Sequence, residues 1–310
     1  MRIIQNEPLS KYTTFHLGGD AKYFYVAENI DELKEALKFA KEKNLPYFIL
    51  GGGSNLIVDG RGYKGLVIKI SNFKFKISNK YYIEVDAGVN LAAVVKESLD
   101  SGLVGLEWAY GIPGTIGGAV YGNAGAYGGE MKDSIKSVKV FRDGKTVGLK
   151  NKDCKFGYRE SIFKKNNDII LSAKIRLKEG SEEELKKSKE KIEKIKKERK
   201  EKFTNGFSAG SFFKNVLMNK KEISNLKNKF SDLPDQFVKN KMVPAAWLID
   251  QCDLKGFCIG NVCVSEKHAG ILINKGKGKN EELSQLVSLI KTKVRDRFGI
   301  QLMEEVCYLM

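Results

Sequence analysis

Two stretches of the chain give up side chains for bare backbone. One is GGGSN at 51–55, directly after the apolar run PYFIL; the other is GIPGTIGGAVYGNAGAYGG at 111–129, in which eight of nineteen residues are glycine. Glycine supplies positive φ and lets backbone N–H groups approach a ligand closely, so glycine-rich turns that follow strands are places where phosphates and pyrophosphates are cradled. Neither stretch is a standard phosphate motif. GGGSN lacks the GK[ST] ending of a P-loop, and glycines at 111, 114 and 117 do not make G-x-G-x-x-G followed by an acid for a ribose. Either stretch alone reads equally well as a tight turn; two in one chain weigh toward a nucleotide, held outside a Rossmann fold. Other chemistries have less to draw on. With only His16 and His268 in the chain, no GxSxG and no metal-ligand spacing, neither a serine hydrolase nor a metal centre is indicated.

The elements that must position these loops alternate. Asn29 followed by Glu32 can cap a helix over roughly 30–43, with Leu33, Ala36, Leu37 and Ala40 on one face. Tyr47–Leu50 reads as a buried strand running into GGGSN, and 65–70 as the next strand, a βαβ-like opening. Residues 81–88 form a further strand and 91–102 a helix closed by glycine. Asp143-Gly144 between two apolar runs marks a hairpin over 137–149. A strand at 168–177 leads to the charged helix 182–202. Beyond it follow a helix at VPAAWLIDQC, strands at GFCIGNVCVS and AGILIN, an amphipathic helix from 280 and a last strand at IQLMEEVCYL. The fold class is α+β, with a composition shift and a domain boundary near 203.

At 310 residues and 42% hydrophobic, the chain can bury a substantial core. No run of eighteen apolar residues exists and the start MRIIQNEPLS has no apolar signal region, which places the protein in the cytoplasm, off the membrane. Five scattered cysteines without a CxxC pair read as core or surface thiols in a reducing compartment. The formal charge of +16 admits anionic partners, but lysine is spread along the chain and the densest run, Glu182 to Lys202, mixes both signs at helical spacing. That is a solvated helix rather than a nucleic-acid surface.

Eight blocks occur in order: YTTFHLGG, GGGSNL, GIPGTIGGAVYGNAGAYGG, FGYRESIF, SAGSFFKN, WLIDQCDLKG, VSEKHAGILIN and GIQLMEEV. Together they closely resemble the UDP-N-acetylenolpyruvoylglucosamine reductase family (UDP-N-acetylmuramate dehydrogenases of peptidoglycan synthesis), over almost the whole chain and in its shorter subtype. The resemblance implies a two-lobed FAD domain of the vanillyl-alcohol-oxidase type over 1–202, with lobes of about 1–75 and 76–202, and a substrate domain over 203–310. It implies reduction of UDP-N-acetylglucosamine enolpyruvate to UDP-N-acetylmuramate, with NADPH as hydride donor and FAD bound noncovalently. Hydride would pass from flavin N5 to C3 and a proton to C2. His16 is then an ordinary hydrogen-bonded histidine rather than a flavin attachment point, and a monomer is favoured.

Site residues follow from the same resemblance. Gly51, Gly52, Gly53, Ser54 and Asn55, with Gly111, Pro113, Gly114 and Thr115, would face the FAD pyrophosphate; Asn123, Ala124 and Gly125 would line the flavin ring. Arg159 is placed on the substrate carboxylate, which a guanidinium meets bidentately as enolate charge develops. Ser211 would donate the C2 proton, helped by Glu305, the acid directly before valine and so chosen over Glu304. Tyr158, Lys214, Asn215, Lys267 and His268 would contact substrate. The chain departs from the family in lacking a proline before the serine block and in carrying Ala246 and Asp253 at usual glycines and Met303 at a frequent acid. Another flavin oxidoreductase of the same fold would keep the glycine loops but lack the Ser211 and Glu305 blocks. A basic nucleic-acid-binding protein would be colourless.

Overall fold

The computed structural model describes residues 2–71, 74–79, 81–202 and 205–310. The chain forms two compact units. The first holds residues up to Glu7, Ala21–Gly53 and Tyr63–Lys200; the second holds Pro8–Asp20, Ser54–Gly62 and Glu201–Met310. Each has its own apolar core, and the cores explain why two short N-terminal segments leave a contiguous division at 202/203. Phe15, Leu17 and Ile57 are buried with Phe212, Phe213, Leu248 and Leu286 in the core of the second unit. Leu56–Val58 also pairs in parallel with the C-terminal strand Cys307–Leu309.

Among the described residues the first unit contains two larger sheets and two short two-stranded ones. In one, Asp20–Ala27, Tyr63–Ile70 and Tyr47–Leu50 run parallel, in the order 20–27, 63–70, 47–50. The crossover helix Ile30–Glu42 starts where Asn29 Oδ1 accepts from the backbone N–H of Asp31 and Glu32, and it buries Leu33, Ala36 and Ala40. The second sheet is antiparallel, with Lys145–Lys150, Ile135–Arg142, Ile169–Arg176, Tyr82–Asp86 and Phe75–Asn79 side by side. Its hairpin turns at Asp143 and Gly144, both at positive φ (48° and 81°), the primed turn that matches strand twist. The charged helix Glu182–Lys202 buries only Ser188, Ile192 and Ile195, so its lysines are a solvated face.

The glycine-dense stretch is not all loop. Thr115 Oγ1 accepts from the Gly118 N–H and starts a short helix, Ile116–Gly122, which buries Ile116, Ala119 and Val120. Gly117 permits this packing, since a Cβ there would stand 2.9 Å from the Ala87 methyl. The apolar spacing needed to see that helix is hidden by three glycines inside it.

In the second unit, Ser211–Phe213 lies between two other segments. Ser211 bridges Ile271 on one side, and Phe213 bridges Glu304 on the other. Helices Lys220–Lys229, Asp235–Asn240, Ala245–Asp250 and Asn280–Phe298 complete it. The predicted single strand GFCIGNVCVS is instead a hairpin, Cys258–Ile259 against Val262–Val264, turning at Gly260 (φ 57°). This overturns the reading of all five cysteines as thiols: Cys258 and Cys263 are opposite each other and form a disulfide, their Cα atoms 4.0 Å apart. In one extended strand the two would have been about 16 Å apart. Cys154, Cys252 and Cys307 are thiols, and desolvation pushes Cys154 up to about 11. Among the described residues no helix is long and apolar enough to cross a membrane.

Candidate functional site

The two glycine loops meet within the first unit. A Cβ on Gly51 would stand 2.7 Å from Thr115 Oγ1, and one on Gly52 would stand 2.7 Å from Gly114 Cα. Gly52, facing backbone, accepts no side chain while the loops touch; at Gly51 the Thr115 hydroxyl would have to turn away. Gly53, Gly111 and Gly114 hold φ of 62°, 72° and 115°, conformations that L side chains rarely adopt. Behind the second loop, the backbone N–H groups of Ile116 and Gly117 donate to Val89 and Ala87 (2.9 and 2.8 Å), and the Gly114 carbonyl accepts from Leu91. Arg199, on the charged helix, donates to the Gly111 carbonyl. The result is a paired, braced stretch of bare backbone, with no side chain between the loops to keep a ligand's phosphates at a distance.

A second cluster in the same unit surrounds Arg159. The guanidinium Nη2 donates to the Gly125 carbonyl at 2.6 Å, and its carbon lies 5.3 Å from the Tyr158 ring centroid. Arg159 itself has φ 54°, and Gly157 and Glu160 exchange backbone hydrogen bonds around it (2.9 and 3.1 Å). Its carbonyl accepts from Lys164 Nζ at 2.7 Å. An arginine in the left-handed region is strained and persists only where its surroundings over-determine it. The structure therefore brings Tyr158, Arg159 and Gly125 together. Asn123 belongs to this cluster too, but it is fully buried and its amide is spent on protein groups.

The second unit gathers the remaining residues. Phe212 and Phe213 are almost completely buried, which at about 1.5–3 kcal/mol each anchors the exposed Ser211 beside them. The Phe212 N–H donates to Gly270 O, the Phe212 carbonyl accepts from Glu305 N, and Lys214 N donates to Met303 O, each at 2.8 Å. Ser211, Lys214 and Glu305 thus come from neighbouring, hydrogen-bonded segments. Asn55 joins them: its side-chain amide donates to the Glu305 carbonyl at 3.1 Å, and its own carbonyl accepts from Cys307 N at 2.9 Å. Glu304, next to Glu305, pairs with Lys291, with Nζ 3.0 Å from Oε1. Asn215 braces the helix Ala245–Asp250, accepting from Ala245 N at 3.2 Å.

The Lys267 and His268 turn hangs on the buried hydroxyl of Ser265, which accepts from both backbone N–H groups at 3.3 Å. His268 Nδ1 accepts from Gly270 N at 3.2 Å. Burial, followed by the Lys202 ammonium, holds its pKa below the ordinary imidazole range, so near neutrality the ring is uncharged with its proton on Nε2. Sequence reasoning missed Ser265, and also the buried Asn274, whose amide donates to the Phe15 carbonyl (3.0 Å) and accepts from Gly276 and Gly278 (2.9 Å each). Both sit inside blocks that were read as plain strand. A polar residue closing an apolar run, as in ILIN, is the one signal that pointed to Asn274.

Residues 21–149 match the FAD binding domain family, and residues 201–309 match the family described as UDP-N-acetylenolpyruvoylglucosamine reductase, C-terminal domain. The UDP-N-acetylenolpyruvoylglucosamine reductase of Caldanaerobacter subterraneus subsp. tengcongensis is 36% identical over 98% of this chain and 93% of its own. The enzyme of the same name from Solibacter usitatus is 37% identical over 99% and 97%. The crystal structure of the Thermus caldophilus enzyme superposes with a TM-score of 0.78 at 29% identity, covering 100% of this chain and 98% of that one. The paired glycine loops, the Arg159 turn and the Ser211–Glu305 ladder are therefore parts of a two-domain flavoprotein, and the chain belongs to the UDP-N-acetylenolpyruvoylglucosamine reductase family.

Proposed function

We propose that the protein is a UDP-N-acetylmuramate dehydrogenase, reducing UDP-N-acetylglucosamine enolpyruvate to UDP-N-acetylmuramate with NADPH as the reductant. The observation that carries the reading is that relatives named for this one reaction align over nearly the full chain, across both units. Bound FAD supplies the hydride relay between the nicotinamide and the enolpyruvyl double bond. Gly51, Gly52, Gly53, Ser54 and Asn55, with Gly111, Pro113, Gly114 and Thr115, would hold its pyrophosphate, and Ala124 and Gly125 would lie along its ring. The mutually braced, side-chain-free loops fit that group.

The protein's own residues then manage charge and one proton. As C3 of the enolpyruvyl ether accepts hydride, electron density moves onto the carboxylate. Arg159, held by its turn and by the Gly125 carbonyl, meets that charge with a fixed fork that water would have to reorganise to match. Ser211 delivers a proton to C2. An isolated hydroxyl is a weak acid, so the role depends on the strongly basic enolate and on the charges around it, Glu305 among them. Tyr158, Lys214, Lys267 and neutral His268 bind the rest of the substrate.

The cytoplasmic placement rests on the substrate, a nucleotide-activated cell-wall precursor, and not on the cysteines now that two are paired. Purified protein should be yellow, release FAD on denaturation and, without oxygen, oxidise NADPH beyond one equivalent per flavin only when the enolpyruvyl substrate is added. Colourless protein that cannot be reconstituted with FAD would sink the assignment.

A further inference from the structure

Asn123 ends the helix Ile116–Gly122 in the left-handed conformation, φ 43° and ψ 57°, with no exposed surface. Its amide is fully used. Nδ2 donates to Glu130 Oε2 and to the Gly157 carbonyl, both at 2.7 Å, and Oδ1 accepts from the Lys132 N–H at 2.9 Å. The orientation is unambiguous, because a carboxylate and a carbonyl only accept while a backbone N–H only donates. Glu130 is itself held, its carboxylate 3.1 Å from Lys132 Nζ and its N–H on Asp133 Oδ2 at 3.0 Å.

The bond to Gly157 has a counterpart in the opposite direction. Asn123 donates to Gly157, and two residues further along each segment Arg159 donates to Gly125. The 123–125 and 157–159 segments are stitched twice, once by each side chain. Gly157 is also one half of the tight turn that forces Arg159 to φ 54°. Gly125 leaves room for the stitch: a Cβ there would lie 3.0 Å from Arg159 Nη1 and 2.8 Å from Glu130 Cγ.

We propose that Asn123 is a positioning residue for Arg159, fixed by Glu130, and not a ligand of the flavin. The proposal rests on the reading of Arg159 as the group that binds the substrate carboxylate. An amide with both donors committed inside the protein has none left for a cofactor, whereas moving the Gly157 carbonyl moves the turn that aims the guanidinium.

The test is Asn123→Asp, which keeps the size, the acceptor and the tolerance of left-handed backbone but deletes both donors and faces Glu130 with like charge. The proposal expects unchanged FAD affinity, an unchanged flavin absorption spectrum and reduction by NADPH within about twofold of wild type. Reoxidation by saturating UDP-N-acetylglucosamine enolpyruvate should fall by about tenfold or more, as in Arg159→Lys. In the double variant the second change should add less than about twofold, because both remove one interaction. Weakened FAD binding or a shifted flavin spectrum would overturn the proposal in favour of a flavin contact. Wild-type reoxidation in Asn123→Asp beside a slow Arg159→Lys, or fully additive losses, would overturn it while leaving Arg159 in place. Wild-type reoxidation in Arg159→Lys would instead remove the reading beneath it. Should Asn123→Asp not fold, Asn123→Gly, which keeps the backbone conformation and deletes the amide, is read by the same measurements.

Discussion

Replacing Gly52 by alanine adds one methyl where the two glycine loops touch. Its carbon would stand 2.7 Å from Gly114 Cα and 3.3 Å from Gly114 C, against about 3.5–4.0 Å for an unstrained carbon–carbon contact. Both obstacles are backbone, so no rotamer change relieves them and the loops must separate by about 1 Å. Overpacking of this kind costs about 1–3 kcal/mol. Part of it falls on folding and part on a cradle now too wide for its ligand, so FAD affinity should drop about tenfold to a hundredfold, at 1.4 kcal/mol per decade. Gly51→Ala should be milder, since its methyl meets Thr115 Oγ1, which can rotate away at the loss of a helix cap worth about 1 kcal/mol. Gly118→Ala serves as the control: its methyl would meet only Thr115 Oγ1 at an ordinary 3.7 Å, and alanine inside a helix gains about 0.5–1 kcal/mol over glycine. Titration of apoprotein with FAD, followed by flavin fluorescence and paired with urea unfolding, reads both components. Wild-type FAD affinity and stability in Gly52→Ala, or equal damage from Gly118→Ala, would refute the reasoning.

Other outcomes follow from single features of the second unit and from the sheet of the first. Because burial depresses the His268 pKa below 6.5, the unfolded chain gains a proton that the folded one resists; this contribution is intact above pH 6.5 and is lost as pH falls through that value toward the folded pKa. His268→Asn, whose Oδ1 can still accept from Gly270 N, should therefore lose less stability than wild type between pH 7.5 and 5.5 in urea titrations, and an unaltered pH dependence would contradict the burial argument. Thiol titration of the denatured, unreduced protein should count three groups and five after reduction, because Cys258 and Cys263 are paired; five without reductant would contradict the pairing. Asp168→Asn breaks a bidentate pair in which the carboxylate is buried and Arg142 Nε and Nη2 lie 2.6 and 2.5 Å away. With Arg142 40% exposed, the cost should be near the low end for charged hydrogen bonds, about 1–2 kcal/mol in chemical denaturation, and no change would show the pair to be solvated.

Much of the fold was legible because its signals were local. The Asn29 cap, the Asp143-Gly144 turn and the apolar run Tyr47–Leu50 each specify their element within a few residues. What stayed hidden was long-range or masked by glycine. Nothing in SNLIV announces that Leu56–Val58 pairs with a strand some 250 residues away, and the glycine count concealed the helix Ile116–Gly122. The Cys258–Cys263 pair depended on recognising Gly260-Asn261 as a turn inside an apolar run. The catalytic candidates were visible as blocks, yet their supports were not: Glu130, Ser265 and Asn274 act through buried or half-buried hydrogen bonds that leave no periodic trace. One departure from the family has a physical account. Asp253, at a usual glycine position, adopts φ 56°, a conformation that a short polar side chain tolerates better than most. Ala246 lies against Gly270, whose added Cβ would stand 3.2 Å from its methyl, so the crowding there has moved to the partner segment.

The central claim is that Ser211 supplies the C2 proton after reduction of the flavin, and one experiment on Ser211→Ala addresses both steps. Ser211 is exposed and its segment is fixed by backbone bridges and by two buried phenylalanines, so removing the hydroxyl should leave the fold and the FAD intact. Stopped-flow absorbance at the flavin band, first with NADPH and then with UDP-N-acetylglucosamine enolpyruvate, separates the half-reactions on one sample. Bleaching by NADPH should proceed at the wild-type rate, while reoxidation by substrate should slow by about a hundredfold to ten-thousandfold, the contribution of a positioned acid. Slow bleaching followed by wild-type reoxidation would contradict the account and place the proton donor elsewhere.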